Sequence, residues 1–72
     1  MKFQYQIKTL AECTEDDRIS VDSQYSVGDL AGLIAAHNMG ALNIEDQCWF
    51  GTRDSYQFAP KEACALVAVP IQ

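Results

Sequence analysis

Phe3, Tyr5 and Ile7 alternate with Lys2, Gln4, Gln6 and Lys8. A period of two gives one apolar and one wet face, so the pattern predicts a strand over Lys2 to Leu10. Leu10 breaks the phase, which marks a bulge or the strand end. Ala11 to Asp17 alternates nowhere and concentrates Glu12, Glu15, Asp16 and Asp17. It reads as a solvated connection. From Arg18 to Tyr25 the alternation returns, with Ile19, Val21 and Tyr25 against Ser20, Asp22 and Gln24. This is a second strand, most simply antiparallel to the first.

The period then changes. Ser26 to Gly40 is the strongest helical signal in the chain. Ser26 and Asp29 form an S-x-x-D capping pair, and Gly40 supplies a stop that tolerates left-handed backbone. Val27, Leu30, Leu33 and Ile34 recur at helical spacing and define a core stripe. Gly28, Gly32 and Ala36 fall on another side, beside Ala35 and Met39, with almost no charge among them. A single sheet covers one side of a helix, so the small stripe is expected to face a second body. Glycine and alanine let backbones approach closely there.

Beyond Gly40 the elements are short. Leu42 and Ile44 alternate with Asn43 and Glu45, predicting a third strand, with Glu45-Asp46-Gln47 as a turn. Cys48-Trp49-Phe50 opens a fourth strand before the turn-rich Gly51 to Ser55. Tyr56 and Phe58 flank Gln57 as a further short strand. Ala63 to Val69 reads as a buried last strand closed by Pro70. A helix starting at Pro60 is its rival, because Ala63, Leu66 and Val67 also suit helical spacing. The expected architecture is β-β-α-β-β-β: an α+β fold with an antiparallel sheet of four to five strands and one helix on a face, in a single domain over residues 1–72.

Composition narrows the function. A chain of 72 residues has a small core, and a homodimer or a partner is a natural way to add to it. Hydrophobic content of 49% and charged content of 21% are globular values. The net charge of −5 disfavours direct contact with nucleic acid or anionic membrane and suits a partner with a basic surface. No apolar run is long enough to cross a bilayer. Cys13, Cys48 and Cys64 are widely spaced behind an opening that does not resemble a secretory signal, so free thiols in a reducing cytoplasm are expected.

Candidate chemistry is sparse. His37, the lone histidine, lies near the edge of the helix core stripe. Pairing it with a cysteine nucleophile needs a proximity that no spacing predicts. Cys13, His37, Cys48 and Cys64 are enough ligands for zinc, yet no C-x-x-C or H-x-x-x-H pair holds two of them together. Neighbouring acids such as Asp16 with Asp17 and Glu45 with Asp46 are ordinary solvated loop pairs. No phosphate loop occurs, since Gly28 and Gly32 lie inside a helix. Trp49 and Phe50 are adjacent in an extended stretch, so their side chains part, and one of them is either covered by the edge of the fold or exposed as an interface anchor. The expectation is a protein without catalytic, metal or cofactor sites.

The opening Met1-Lys2-x-x-Tyr5-x-Ile7-Lys8, the approach Tyr25-Ser26-Val27-Gly28 to the helix, and Ile44-Glu45-Asp46 after it carry a likeness. Together with the hairpin, single helix and antiparallel sheet, the layout resembles small phage-encoded anti-CRISPR proteins. The likeness spans much of residues 1–46. It implies a non-enzymatic inhibitor in the host cytoplasm that occludes the nucleic-acid-binding surface of a CRISPR surveillance complex. That family shares no functional motif, so the resemblance assigns no site residue. The residues themselves offer a partner surface: an acidic rim of Asp16, Asp17, Asp22, Glu45, Asp46 and Asp54, with Trp49 and the Gly28, Gly32, Ala36 stripe as contact points. The alternative expectation is a structural homodimer assembled through the helix.

Overall fold

A computed structural model describes residues 3–71. Strand β1 spans Phe3–Thr9, β2 spans Arg18–Val21 and β3 spans Cys64–Pro70. Helix α1 spans Val27–Asn38, and a single turn, α2, spans Ile44–Gln47. Two 3-10 turns cover Leu10–Glu12 and Arg53–Tyr56. The fold is α+β: one main helix on a three-stranded antiparallel sheet of order β1-β3-β2.

The last strand is the middle one. β3 reads Cys-Ala-Leu-Val-Ala-Val before Pro70, with no polar side chain on either face. Only a strand covered on both sides suits that composition. β1 and β2 each carry polar residues on one or both faces and take the edges. The first two strands therefore do not form the expected hairpin, because β3 lies between them. β1 pairs with β3 from Phe3↔Pro70 to Thr9↔Cys64, and β2 pairs from Arg18↔Ala68 to Val21↔Ala65. The strand expected over Ala63 to Val69 is borne out and the rival helix is not. The first strand is also borne out, although Lys2 lies outside the described residues.

The other expected strands are replaced by turns. Asn43 accepts a hydrogen bond from the Glu45 N–H at 3.2 Å and caps α2, which drives Ile44 fully into the core. Two alternating apolar residues could not distinguish that turn from a strand. Cys48-Trp49-Phe50 is extended but reaches the sheet only through Gly51, which exchanges both backbone bonds with Ile19, at 2.7 and 2.9 Å. Tyr56 closes a 3-10 turn, and Phe58 is 94% exposed. Leu10 marks the strand end, one of the two outcomes its break in phase allowed, and starts another such turn.

Each sheet face has its own core. On the helix side Tyr5, Leu30, Ile44, Leu66 and Ala68 are buried, with Leu33, Ile34, Tyr25 and Phe50 against them. On the other side Leu10, Cys13, Ile19, Ala65 and Val67 are buried under irregular chain that includes Tyr56 and Ala59. The helix starts and stops as its sequence dictates. Ser26 and Asp29 exchange reciprocal capping bonds, at 2.9 and 3.2 Å, and Gly40 adopts φ +79°. One correction concerns Val27, which is 53% exposed. It begins the helix, and the first buried contact comes at Leu30.

Candidate functional site

The polar groups that most invite a catalytic reading hold the fold together instead. Across the helix side of the sheet, Tyr5 and Arg18 flank the small Ala68, their common neighbour on β3. The gap admits Glu45 from α2. Its carboxylate meets the Arg18 guanidinium at 2.6 Å and accepts the Tyr5 hydroxyl at 3.0 Å. The guanidinium also lies over the Phe50 and Phe3 rings, 4.8 and 5.3 Å from their centroids. Arg18 holds the Glu45 carboxyl below the usual carboxylate range. Burial, with help from Glu45, pushes the Tyr5 hydroxyl up to about 12. Every charge in the cluster has a partner within the chain.

His37 is similarly committed. Its Nδ1 accepts the Ile44 N–H at 3.2 Å, and its ring meets Tyr5 edge-on with centroids 4.8 Å apart. It ties α1 to α2, and Nδ1 is not available as a general base. Neither Cys13 nor Cys48 is an activated nucleophile. Burial raises the pKa of Cys13, whose Sγ donates to the Thr9 carbonyl at 3.5 Å. Burial and the nearby Asp22 charge raise that of Cys48. Among the described residues no three His, Cys, Asp or Glu side chains are grouped to hold a metal ion. Among the described residues no helix is long and apolar enough to cross a membrane.

Open surface chemistry gathers elsewhere, at the end of β2. Two adjoining cavities, of about 190 and 570 Å³, share Val21, Asp22, Tyr25 and Tyr56 in their walls. The smaller adds Ser20, Cys48 and Trp49, and the larger adds Ala59, Glu62 and Cys64. Together they form a groove with aromatic walls and carboxylates at its margin. Asp22 is exposed there, with one oxygen held by the Gln24 N–H at 2.9 Å. Trp49 is 66% exposed and packs on Tyr56, whose hydroxyl donates to the Trp49 carbonyl at 3.2 Å. Gly51 makes that placement possible. A Cβ at residue 51 would sit 2.5 Å from the indole Cη2, closer than any real contact allows.

The expected site residues disperse on this framework. Phe50 turns into the core and Trp49 outward, so the adjacent pair divides as extended geometry requires. Asp22 and Trp49 reach the groove. Glu45 does not, because Arg18 consumes it. Asp17 accepts the Thr14 N–H at 2.9 Å and caps its own loop. Asp16, Asp46 and Asp54 are exposed in the β1–β2 connection, in α2 and in the second 3-10 turn. On α1, Gly28 and Gly32 are exposed, and a Cβ at Gly32 would meet nothing within 4 Å; Ala36 is half-buried. Tyr25, Tyr56 and Glu62 were not singled out as site residues from sequence. Their convergence depends on the irregular chain between Trp49 and Ala63, where the one alternation, Tyr56 with Phe58, spans too few residues to place a side chain.

Compared with protein-family models, with curated proteins and with solved structures, the chain matches none.

Proposed function

We propose that this protein is a non-enzymatic binding protein that receives a cationic segment of a partner protein in the groove beside β2. The observation that carries the reading is the juxtaposition of Trp49, Tyr25 and Tyr56 with the unpaired edge of Asp22, in a chain of net charge −5. Aromatic faces and a carboxylate together favour a lysine or arginine side chain. The internal use of Arg18, Glu45 and His37 supports a binding role over a catalytic one. The acidic surface would steer encounter, and the exposed aromatics would anchor the complex.

The likeness to small anti-CRISPR proteins makes the basic, nucleic-acid-binding surface of a CRISPR surveillance complex the partner class to test first, in the host cytoplasm. Purified protein is added to such a complex and target-DNA capture is measured. The expected result is stoichiometric loss of capture, relieved by salt. Asp22→Asn and Trp49→Ala should each weaken it by roughly tenfold or more. Unchanged capture removes that partner. If tagged protein also retains no stoichiometric partner from a host lysate at low salt, the binding reading itself fails.

A further inference from the structure

The free edge of β1 is shaped for a second strand. Ile19 exchanges both backbone bonds with Gly51, so it faces away from β3. Bonding direction alternates along an antiparallel ladder, so Arg18 and Ser20 bond Ala68 and Leu66, and the intervening Val67 turns to Gln6 of β1. The Leu10 N–H, donating to the Ala63 carbonyl at 2.8 Å, continues the same phase. Phe3, Tyr5, Ile7 and Thr9 therefore direct their N–H and C=O groups outward. The Thr9 N–H is capped by the Glu12 carboxylate at 3.1 Å. Among the described residues, the outward groups of Phe3, Tyr5 and Ile7 have no partner.

Proteins usually guard such an edge with proline, charged side chains such as lysine, a bulge or a covering loop, and of these β1 has only Lys8, beside its last residue. β2 is guarded: it has four residues, and Gly51 bridges its outer side. β1 has seven residues with no proline, and it pairs with β3 in unbroken register. Charge decides what fits there. Two copies of a chain of net charge −5 repel, yet all ten acids lie at Glu12 or beyond, and the charged side chains of residues 1–11 are Lys2 and Lys8. At β1 two copies meet away from the acids that make up the net charge, with Lys8 the one charged side chain of the strand.

We infer that β1 pairs antiparallel with β1 of a second copy about a two-fold axis, joining two three-stranded sheets into one. Centring the axis on Gln6 sets Tyr5 opposite Ile7 of the second copy, Phe3 opposite Thr9, and Gln4 opposite Lys8. This register sets the charged Lys8 against a neutral side chain and keeps it away from Lys8 of the second copy. The half-buried Phe3 and Ile7 then continue the helix-side core across the axis. This interface is independent of the groove beside β2 and differs from a helix-to-helix dimer.

Sedimentation equilibrium of the full chain, from low to high micromolar, tests it. The expected result is a reversible dimer, with amide exchange at Tyr5 and Ile7 slowing as concentration rises. The double variant Gln4→Lys, Gln6→Lys places like charges opposite one another at exposed positions. It should weaken dimerisation by at least tenfold with the circular dichroism unchanged. If that variant fails to fold, the concentration dependence of exchange at Tyr5 and Ile7 in the native chain decides alone. A monomer throughout the range overturns the inference. So does a dimer that survives the double variant, or one that Gly32→Leu abolishes while Tyr5 and Ile7 exchange freely.

Discussion

On the helix side of the sheet, Leu30, Leu33 and Ile34 arrive together on one rigid element. On the opposite side, Leu10, Cys13, Tyr56 and Ala59 arrive from two 3-10 turns and the loops beside them. Both faces bury residues of the same strand, alternately Leu66 and Ala68, then Ala65 and Val67. The helix side is wider and carries a charged cluster at its margin, whereas the loop side is an apolar seal. A capped helix packs as a unit, and irregular chain packs residue by residue. The difference places rigidity on one face and residue-by-residue packing on the other. The groove opens where the two meet, at the end of β2: Tyr25, Cys48 and Cys64 come from the helix side, Tyr56 and Ala59 from the loop side.

Several substitutions can break this comparison, and the largest effects belong to the cores. Leu66 and Ile19 are both fully buried, one on each face. Truncating either to alanine should cost about 2–5 kcal/mol, with Leu66→Ala toward the upper end because the helix side relaxes less. A domain of this size has roughly 4–11 kcal/mol in hand, so urea titration separates the two readily. Equal losses would mean that the loop side is as rigidly packed as the helix side.

Glu45→Ala should cost less, about 1 kcal/mol, because Arg18 is half-exposed and water replaces part of the lost contact. Its diagnostic is local. Hydrogen exchange should quicken in α2 and leave the loop side unchanged. Tyr5→Phe, which keeps the ring against His37, should cost less than Glu45→Ala.

The same cluster gives the helix side a pH signature. The Glu45 carboxyl titrates below its ordinary range in the folded chain, because Arg18 favours its charged form. Its contribution is present above the unfolded carboxylate value and is lost as pH falls through the folded one. The Tyr5 hydroxyl behaves oppositely. At about 12 in the folded chain, against 10.0 for the free side chain, it keeps its proton where the unfolded chain has lost it. Stability should therefore fall as pH rises from 10.0 to about 12. Melting temperature against pH measures both slopes. Glu45→Gln should flatten the acid limb and Tyr5→Phe the alkaline one. Loop-side truncations should leave both slopes unchanged.

The smallest expected effect is on the loop side. Gly51→Ala forces the indole of Trp49 aside, but that ring is exposed and free to swing. The stability cost should stay below about 1 kcal/mol. The indole N–H resonance should move in a nuclear magnetic resonance spectrum, and groove binding should weaken.

The sequence made the helix and the outer strands legible for physical reasons. Ser26, Asp29 and Gly40 act through bonds within a few residues, so local pattern suffices. Lys2 to Leu10 shows alternation long enough to mark its strand. Of Arg18 to Tyr25 only Arg18–Val21 is a strand, because Asp22 accepts the Gln24 and Tyr25 N–H groups and turns the chain. Strand order was not legible, because it depends on which strand tolerates burial on both faces. That clue was present in Cys64 to Val69, which has no polar residue. Residues 42–58 misled because their alternations involve only two apolar positions each. Asn43 and Thr52 turn the chain there instead. For the site, Trp49 and Asp22 stood out as exposed chemistry, whereas Tyr25 and Tyr56 resembled core aromatics. Glu45 misled in the opposite direction, as a surface acid that is in fact paired.

Trp49 is the protein's one tryptophan, and it stands on the groove wall, remote in chain position from β1. The molecule thus contains its own optical reporter. A partner seated beside β2 would exclude water from the indole and shift its emission to the blue. Pairing at β1 would leave that emission where it was. Fluorescence read against sedimentation therefore tells an occupied groove from a second copy, without a label on either.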